Sequence, residues 1–176
     1  MNENAAVFRP DDVVVKLDEK EYRLIYDLNA FCEMEKIYDS VDSVLQMLLG
    51  TSAVPDLSKV TVKGEATNPD EVMIADVTLT TYINKVNRVK EAKHTDTLNL
   101  LWIGCLHDHT IFDDFGEIKG YTIAKAKLGA CVTFKNLREV NGKILTAILR
   151  DLVPSEEVKN AEAPEKAEPQ LTLHSK

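Results

Sequence analysis

Apolar and polar residues alternate twice near the start of the chain. Val13, Val15 and Leu17 are separated by Val14 and Lys16, and Tyr22, Leu24 and Tyr26 are separated by Arg23 and Ile25. A period of two puts one set on a single face of a strand, so the pattern predicts a β-hairpin turning at Asp18-Glu19-Lys20, without the glycine that such turns usually carry. The period then changes. Leu28, Ala30, Phe31, Met34, Ile37 and Tyr38 form a broad apolar arc on a helical projection while Asn29, Glu33 and Lys36 face away. Asp27, just before this run, can cap the helix by accepting a first-turn amide. Glu35 projects into the arc and is expected to find a polar partner. Ser40 restarts the chain as a short helix with Val41, Val44, Leu45, Leu48 and Leu49 at helical spacing, ended by Gly50.

Residues 51–67, with Pro55 and Gly64, read as a surface loop holding one short strand near Lys59-Val60-Thr61-Val62. Asn68-Pro69-Asp70-Glu71 has the cap, N1 proline and N3 acid of a helix start. Val72, Ala75, Leu79, Tyr82, Ile83, Val86 and Val89 then recur at helical spacing, which predicts one helix despite the β-leaning Thr78, Thr80 and Thr81. Thr95 or Asp96 is expected to cap the next helix. Its stripe of Leu98, Leu101, Trp102, Cys105 and Leu106, widened by Leu100 and Ile103, marks it as the central core helix, with Trp102 as an anchor. Thr110-Ile111-Phe112-Asp113 reads as another capped start, kept short by Gly116 and Gly120, and Tyr121, Ala124, Leu128 and Cys131 allow one more helix. Asn136-Leu137-Arg138-Glu139 reads as a second capping box, opening a last helix with Leu137, Val140, Ile144, Ile148 and Leu152 before Pro154.

Past Pro154 only Val158, Leu171 and Leu173 are sizeable apolar residues, too few to offset the entropy of ordering. The predicted class is therefore α+β and mainly α: an N-terminal β-hairpin followed by a bundle of about six short to medium helices, and a disordered tail. The expected organisation is a flexible arm (1–10), one globular domain (11–154, with the loop 51–67) and a disordered acidic tail (155–176).

Composition narrows the function. A chain of 176 residues can bury a real core without staples. Its 29 acidic against 21 basic residues give a net charge of -8, which disfavours nucleic acid as a partner because counterion release rewards basic surfaces. No leader is visible and no apolar run approaches the length of a membrane span. Cys32, Cys105 and Cys131 sit among apolar neighbours without paired spacing and read as buried free thiols of a reducing cytoplasm.

Candidate chemistry is sparse. His107-Asp108-His109 with Asp113 and Asp114 offers metal-ligand types, but alternate residues in a loop diverge and no third histidine stands at helical spacing. Glu33 and Glu35 are two apart on a helix and point to different sides, which argues against acid-base work. Cys32 as a nucleophile would need a base that no spacing supplies. The glycines are isolated, so no phosphate-cradling loop is present. Neither a catalytic residue, a cofactor nor a metal is expected.

Two blocks carry a family likeness. Glu21-Tyr22-Arg23-Leu24-Ile25-Tyr26-Asp27-Leu28-Asn29-Ala30-Phe31-Cys32-Glu33-Met34-Glu35-Lys36 resembles the hairpin strand, Asp-containing junction and first helix of phage tail assembly chaperones. Leu100-Leu101-Trp102-Ile103-Gly104-Cys105-Leu106-His107 resembles the aliphatic-Trp-small-Gly helix end of the same family, and residues 110–116 resemble the short helix that follows it. The likeness covers about residues 13–50 and 95–155 and leaves a long capped segment between them without a counterpart.

The resemblance implies a small non-catalytic protein of long-tailed phages or prophages. It would act in the bacterial host cytoplasm, be absent from the mature virion, coat the tape measure protein and help the tail tube protein polymerise around it. Many such proteins also exist as a longer frameshifted form, and this chain looks like the short one. A tape measure protein exposes apolar helices, which an acidic partner with apolar contacts could cover while its charge limits aggregation. Phe112, Phe115, Leu145 and Leu149 are the candidate partner-binding residues. Core positions for all four are the bland alternative. Two other classes share the composition: a different phage or bacterial protein-protein adaptor, and a small-ligand-binding protein.

Overall fold

The computed structural model describes residues 12–50, 56–63, 66–85 and 93–153. The arm expected at 1–10 and the tail expected at 155–176 lie outside the described residues, as does part of the loop 51–67. The α+β class holds, with an N-terminal hairpin and seven α-helices among the described residues.

Strands β1 (Val14–Leu17) and β2 (Lys20–Arg23) pair antiparallel, Val14 opposite Arg23 and Leu17 opposite Lys20. Asp18 turns the corner at φ 54°, in the left-handed region that aspartate tolerates, so the hairpin closes without glycine. Val13, Val15 and Leu17 are buried, and the extended chain after β2 buries Leu24 and Tyr26. Asp27 caps α1 (Leu28–Tyr38), accepting from the Ala30 amide at 2.9 Å, and Ser40 and Gly50 bound α2 (Val41–Leu49) as expected. The apolar arc of α1 is narrower than its sequence implies. Ala30 and Met34 are fully buried, whereas Leu28 and Ile37 stand in solvent and Glu35 reaches the surface without needing the polar partner expected for it.

The middle segment departs from its predicted single helix. Asn68 and Glu71 do form a reciprocal cap, the Glu71 carboxylate accepting from the amides of Thr67 at 2.6 Å and Asn68 at 3.1 Å. It closes only one 3-10 turn, Pro69–Glu71. The chain then forms a three-stranded antiparallel sheet of β3 (Val60–Val62), β4 (Val72–Ile74) and β5 (Val77–Thr78), and only afterwards α3 (Leu79–Lys85). Strand pairing wins because Val72 and Ile74 also alternate, and they lie opposite the buried Val62 and Val60. Ala75 and Asp76 make the two-residue turn at φ 46° and 67°, a left-handed pair for which the sequence holds no glycine signal.

Helix α4 (His94–Gly104) is the central element and packs against α1, α6 and α7. Lys93, not Thr95 or Asp96, is its N-cap residue, and Asp96 reaches back from the first turn to accept from the Lys93 amide at 2.9 Å. A single turn, α5 (Leu106–His109), leads into a second departure. Thr110 to Tyr121 is not a short helix but a hairpin of β6 (Thr110–Phe112) and β7 (Ile118–Tyr121). Asp113 builds its turn, Oδ1 accepting from the Phe115 and Glu117 amides, and Gly116 takes φ 82°. Helices α6 (Lys125–Cys131) and α7 (Leu137–Leu152) complete the fold. Asn136 does not cap α7 with its side chain, because its Oδ1 accepts from the Thr133 amide at 2.7 Å in the turn before it.

The run around Tyr26 and the end of α4 meet at Gly104. Its carbonyl accepts from the Ile25 amide at 2.9 Å, while the buried Tyr26 hydroxyl donates to the Leu100 carbonyl at 2.9 Å. The Tyr26 amide donates to Asp151 of α7 at 2.8 Å, so this crossing joins three elements of the core. Of the three free thiols only Cys105 is buried; Cys32 is exposed and Cys131 intermediate, because the outer faces of α1 and α6 lie at the surface. Among the described residues no helix is long and apolar enough to cross a membrane.

Candidate partner-binding surface

The polar residues that looked most like chemistry form a structural clip. Asp108 receives the Arg23 guanidinium, with Nε at 3.0 Å, and Asp12 approaches the other side of that guanidinium at 3.5 Å. His107 Nδ1 lies 2.9 Å from Asp27 Oδ2, and His109 Nδ1 lies 2.9 Å from Thr122 Oγ1. One tripeptide thus ties the first hairpin, the start of α1 and the end of β7 to the foot of α4. Burial would raise the Asp27 carboxyl, but bonds from His107 and from the Ala30 amide outweigh it and hold the pKa below the usual carboxylate range. Burial lowers the His109 imidazole, with Asp108 partly opposing it. Among the described residues no group of three or more His, Cys, Asp or Glu side chains is arranged to hold a metal ion. Glu33 is engaged by Lys36 at 2.6 Å, and His94 stands edge-on to the Phe134 ring at 4.9 Å.

Trp102 is only partly buried, yet its surroundings make it an anchor. Its indole N–H donates to the Ile123 carbonyl at 3.2 Å, its ring meets Tyr121 edge-on at 5.3 Å, and the Lys125 ammonium lies 4.7 Å from the ring centre. These contacts fix the foot of the β6–β7 hairpin to α4. Thr110 Oγ1 adds a bond to the Leu106 carbonyl at 2.7 Å, and the Thr122 amide donates to His109 at 2.8 Å.

Beyond this foot the hairpin projects. Phe112 is 56% exposed and Phe115 92%, and Ile111 and Ile118 are exposed beside them. The register places Phe112 directly opposite Ile118, so the two share one face of the ribbon. No backbone hydrogen bond joins the outer edge of either strand to another element among the described residues.

The four predicted contact residues therefore separate. Phe112 and Phe115 are at the surface and brought together on one hairpin; Leu145 and Leu149 are in the core, 1% and 0% exposed, and present no surface. Helix α7 is covered by α4 on one side and by β1, α2 and the middle sheet on others, so its second apolar row is buried as well as its first. Ile111 and Ile118 were missed because the run around them reads as a capped helix. Their signal was the β-branched and aromatic content flanking Asp113 and Gly116. A second apolar feature, also missed, is a cleft of about 230 Å³ between the start of α4 and the α6–α7 junction, lined by His94, Leu98, Gly129, Val132, Phe134 and Leu137.

Comparison with family models, with curated proteins and with solved structures finds no match for this chain.

Proposed function

We propose that the protein is a non-catalytic tail assembly chaperone of a long-tailed phage or prophage. In this reading it binds the tape measure protein in the host cytoplasm, promotes assembly of tail tube protein around it and is left out of the mature virion. The observation that carries the proposal is the β6–β7 hairpin: Phe112 and Ile118 on one face and Phe115 on the turn, held in solvent on an anchored foot, with Ile111 exposed on the other face, in a chain of net charge -8. Apolar side chains grouped this way mark interaction sites, and the surplus negative charge keeps the carrier of such a patch from associating with itself. The family likeness of the residues around Tyr26 and Trp102 supplies the particular partner.

Co-expression with the tape measure protein of the same tail tests this. The tape measure protein should move from the pellet into a soluble complex, both with the full chain and with a chain ending at residue 154. If it remains insoluble, or is equally soluble alone, the chaperone reading fails and a protein-protein adaptor for some other partner takes its place.

A further inference from the structure

The tip of the β6–β7 hairpin is both apolar and acidic. Phe112 and Ile118 face each other across the ladder, Phe115 stands on the turn, and Asp114 and Glu117 are exposed between them. The turn is also stiff. Asp113 Oδ1 accepts from the amides of Phe115 and Glu117 at 2.9 Å each, and the Asp113 amide donates to the Glu117 carbonyl at 2.8 Å. A preformed aromatic tip on an anchored foot loses little entropy when it is covered.

Three occupants would cover it, and the residues discriminate among them. A strand added to the edge meets obstacles: β6 has three residues, and the register shift leaves Lys119 as the extra residue of a bulge on β7. Short edges, bulges and lysines are the features that block strand addition. A second copy of this chain would bring Asp114 and Glu117 toward their equivalents in a protein of net charge -8, which is repulsive. A cationic amphipathic helix meets neither obstacle. We infer that the β6–β7 hairpin is a docking site for such a helix of a partner protein, whose apolar face covers Phe112, Phe115 and Ile118 and whose lysines or arginines meet Asp114 and Glu117. The inference rests on the chaperone reading only for the partner's identity, and it names the kind of tape measure segment that would be held.

Synthetic peptides separate the two claims. A helical peptide of about 20 residues with a leucine face flanked by lysines is titrated into the 15N-labelled full chain. Amide shifts over residues 110–121 and the fluorescence of the single tryptophan, Trp102 at the hairpin foot, report binding. Binding should weaken several-fold as ionic strength rises from about 0.05 M to about 0.5 M. It should weaken about tenfold or more in the double variant Phe112→Ser/Phe115→Ser with an unchanged melting curve. The charge reversal Asp114→Lys/Glu117→Lys, on exposed turn positions, should shift the preference to the same helix flanked by glutamates.

Equal binding of the lysine-flanked and glutamate-flanked helices by the unaltered chain would overturn the inference. So would full binding by the serine variant, or tighter binding of an extended Val-Lys peptide than of the helix. Peptide docking without solubilisation of the tape measure protein removes the chaperone reading and leaves the docking site. Solubilisation that survives the serine substitutions does the reverse.

Discussion

Gly104→Ala tests the crossing at the centre of the fold. A Cβ built on Gly104 falls 3.0 Å from both Cζ and Oη of Tyr26 and 3.2 Å from Leu24 Cδ2. Neither neighbour can retreat easily. Tyr26 and Leu24 are buried, the Tyr26 hydroxyl is bonded to Leu100 and its amide to Asp151. Against the alanine stands about 1–3 kcal/mol of overpacking, and about 1 kcal/mol more if the Tyr26 hydroxyl bond is broken. In its favour is the helix preference of alanine over glycine, at most about 1 kcal/mol. The net expectation is a loss of about 1–3 kcal/mol, which in a domain of this size lowers Tm by roughly 3–10 °C.

Two other glycines calibrate the result in the same thermal and urea melts. Gly129→Ala meets only the end of the Leu98 side chain at 3.1 Å, and Gly120→Ala meets nothing within 4 Å, so both should stay near the unaltered protein. Tyr26→Phe removes one of the two 3.0 Å contacts, so the double variant Tyr26→Phe/Gly104→Ala should be more stable than the sum of the single changes allows. A Gly104→Ala protein as stable as Gly120→Ala would refute the close packing of the two runs.

Asp27→Ala removes both the cap of α1 and the partner of His107, and should cost about 1 kcal/mol near neutral pH by chemical denaturation. Glu71→Ala should cost a similar amount, about 1 kcal/mol, because the Thr67 and Asn68 amides lose their acceptor. Both carboxyls titrate below their ordinary values, in each case because hydrogen bonds outweigh an opposing contribution from burial. A depressed folded pKa stabilises above the unfolded value, about 4 for these groups, and that contribution disappears as pH falls through the folded value. The gap between the unaltered chain and either variant should therefore narrow below about pH 4, and a gap independent of pH down to about 2 would contradict the ionic part of both assignments. Thiol labelling should proceed at Cys32 first and reach Cys105 only on unfolding, since burial, with help from Asp108, pushes that thiol up to about 12. Mass spectrometry of the partly labelled native protein would show the order, and early modification of Cys105 would count against its burial.

What could be read from sequence alone follows a physical division. Hairpin β1–β2, the caps at Asp27 and Ser40, Gly50 and the main apolar stripe of α7 were legible because local pattern and tertiary burial agree there. The stripe of α4 agrees only in part, with Leu98 and Trp102 half-buried and Leu100 and Ile103 fully inside. Two segments misled where a helix-start signature and a strand pattern overlap. At Asn68 to Glu71 the cap is real but local, and the alternation of Val72 and Ile74 prevails once β3 supplies Val60 and Val62 as partners from some ten residues earlier. At Thr110 to Asp113 the aspartate caps a turn rather than a helix, and β7 supplies the pairing. The short strand at Val60 to Val62 is itself legible, but nothing local assigns it Val72 to Ile74 as a partner, and β7, four residues with Gly120 among them, does not stand out as a strand. The left-handed Ala75 and Asp76 lack the glycine that would have flagged their turn.

The same overlap hid half of the candidate surface. Apolar residues on α7 could face a partner only if that helix lay at the edge of the bundle, and its periodicity is compatible with either place. Burial decides it: from Ile144 to Leu149 every residue is inside, so Leu145 and Leu149 hold the core together. The hairpin is the opposite case. The core closes without Phe112, Phe115, Ile111 or Ile118, and Trp102, Tyr121 and Thr110 secure the hairpin's foot. A two-stranded ribbon is marginal in water on its own, so this foot is what allows it to carry uncovered aromatic rings. Stability and contact are therefore assigned to different residues. Substitutions at Phe112 and Phe115 can remove binding and leave the melting curve in place, whereas at Leu145 and Leu149 loss of binding would follow loss of the fold.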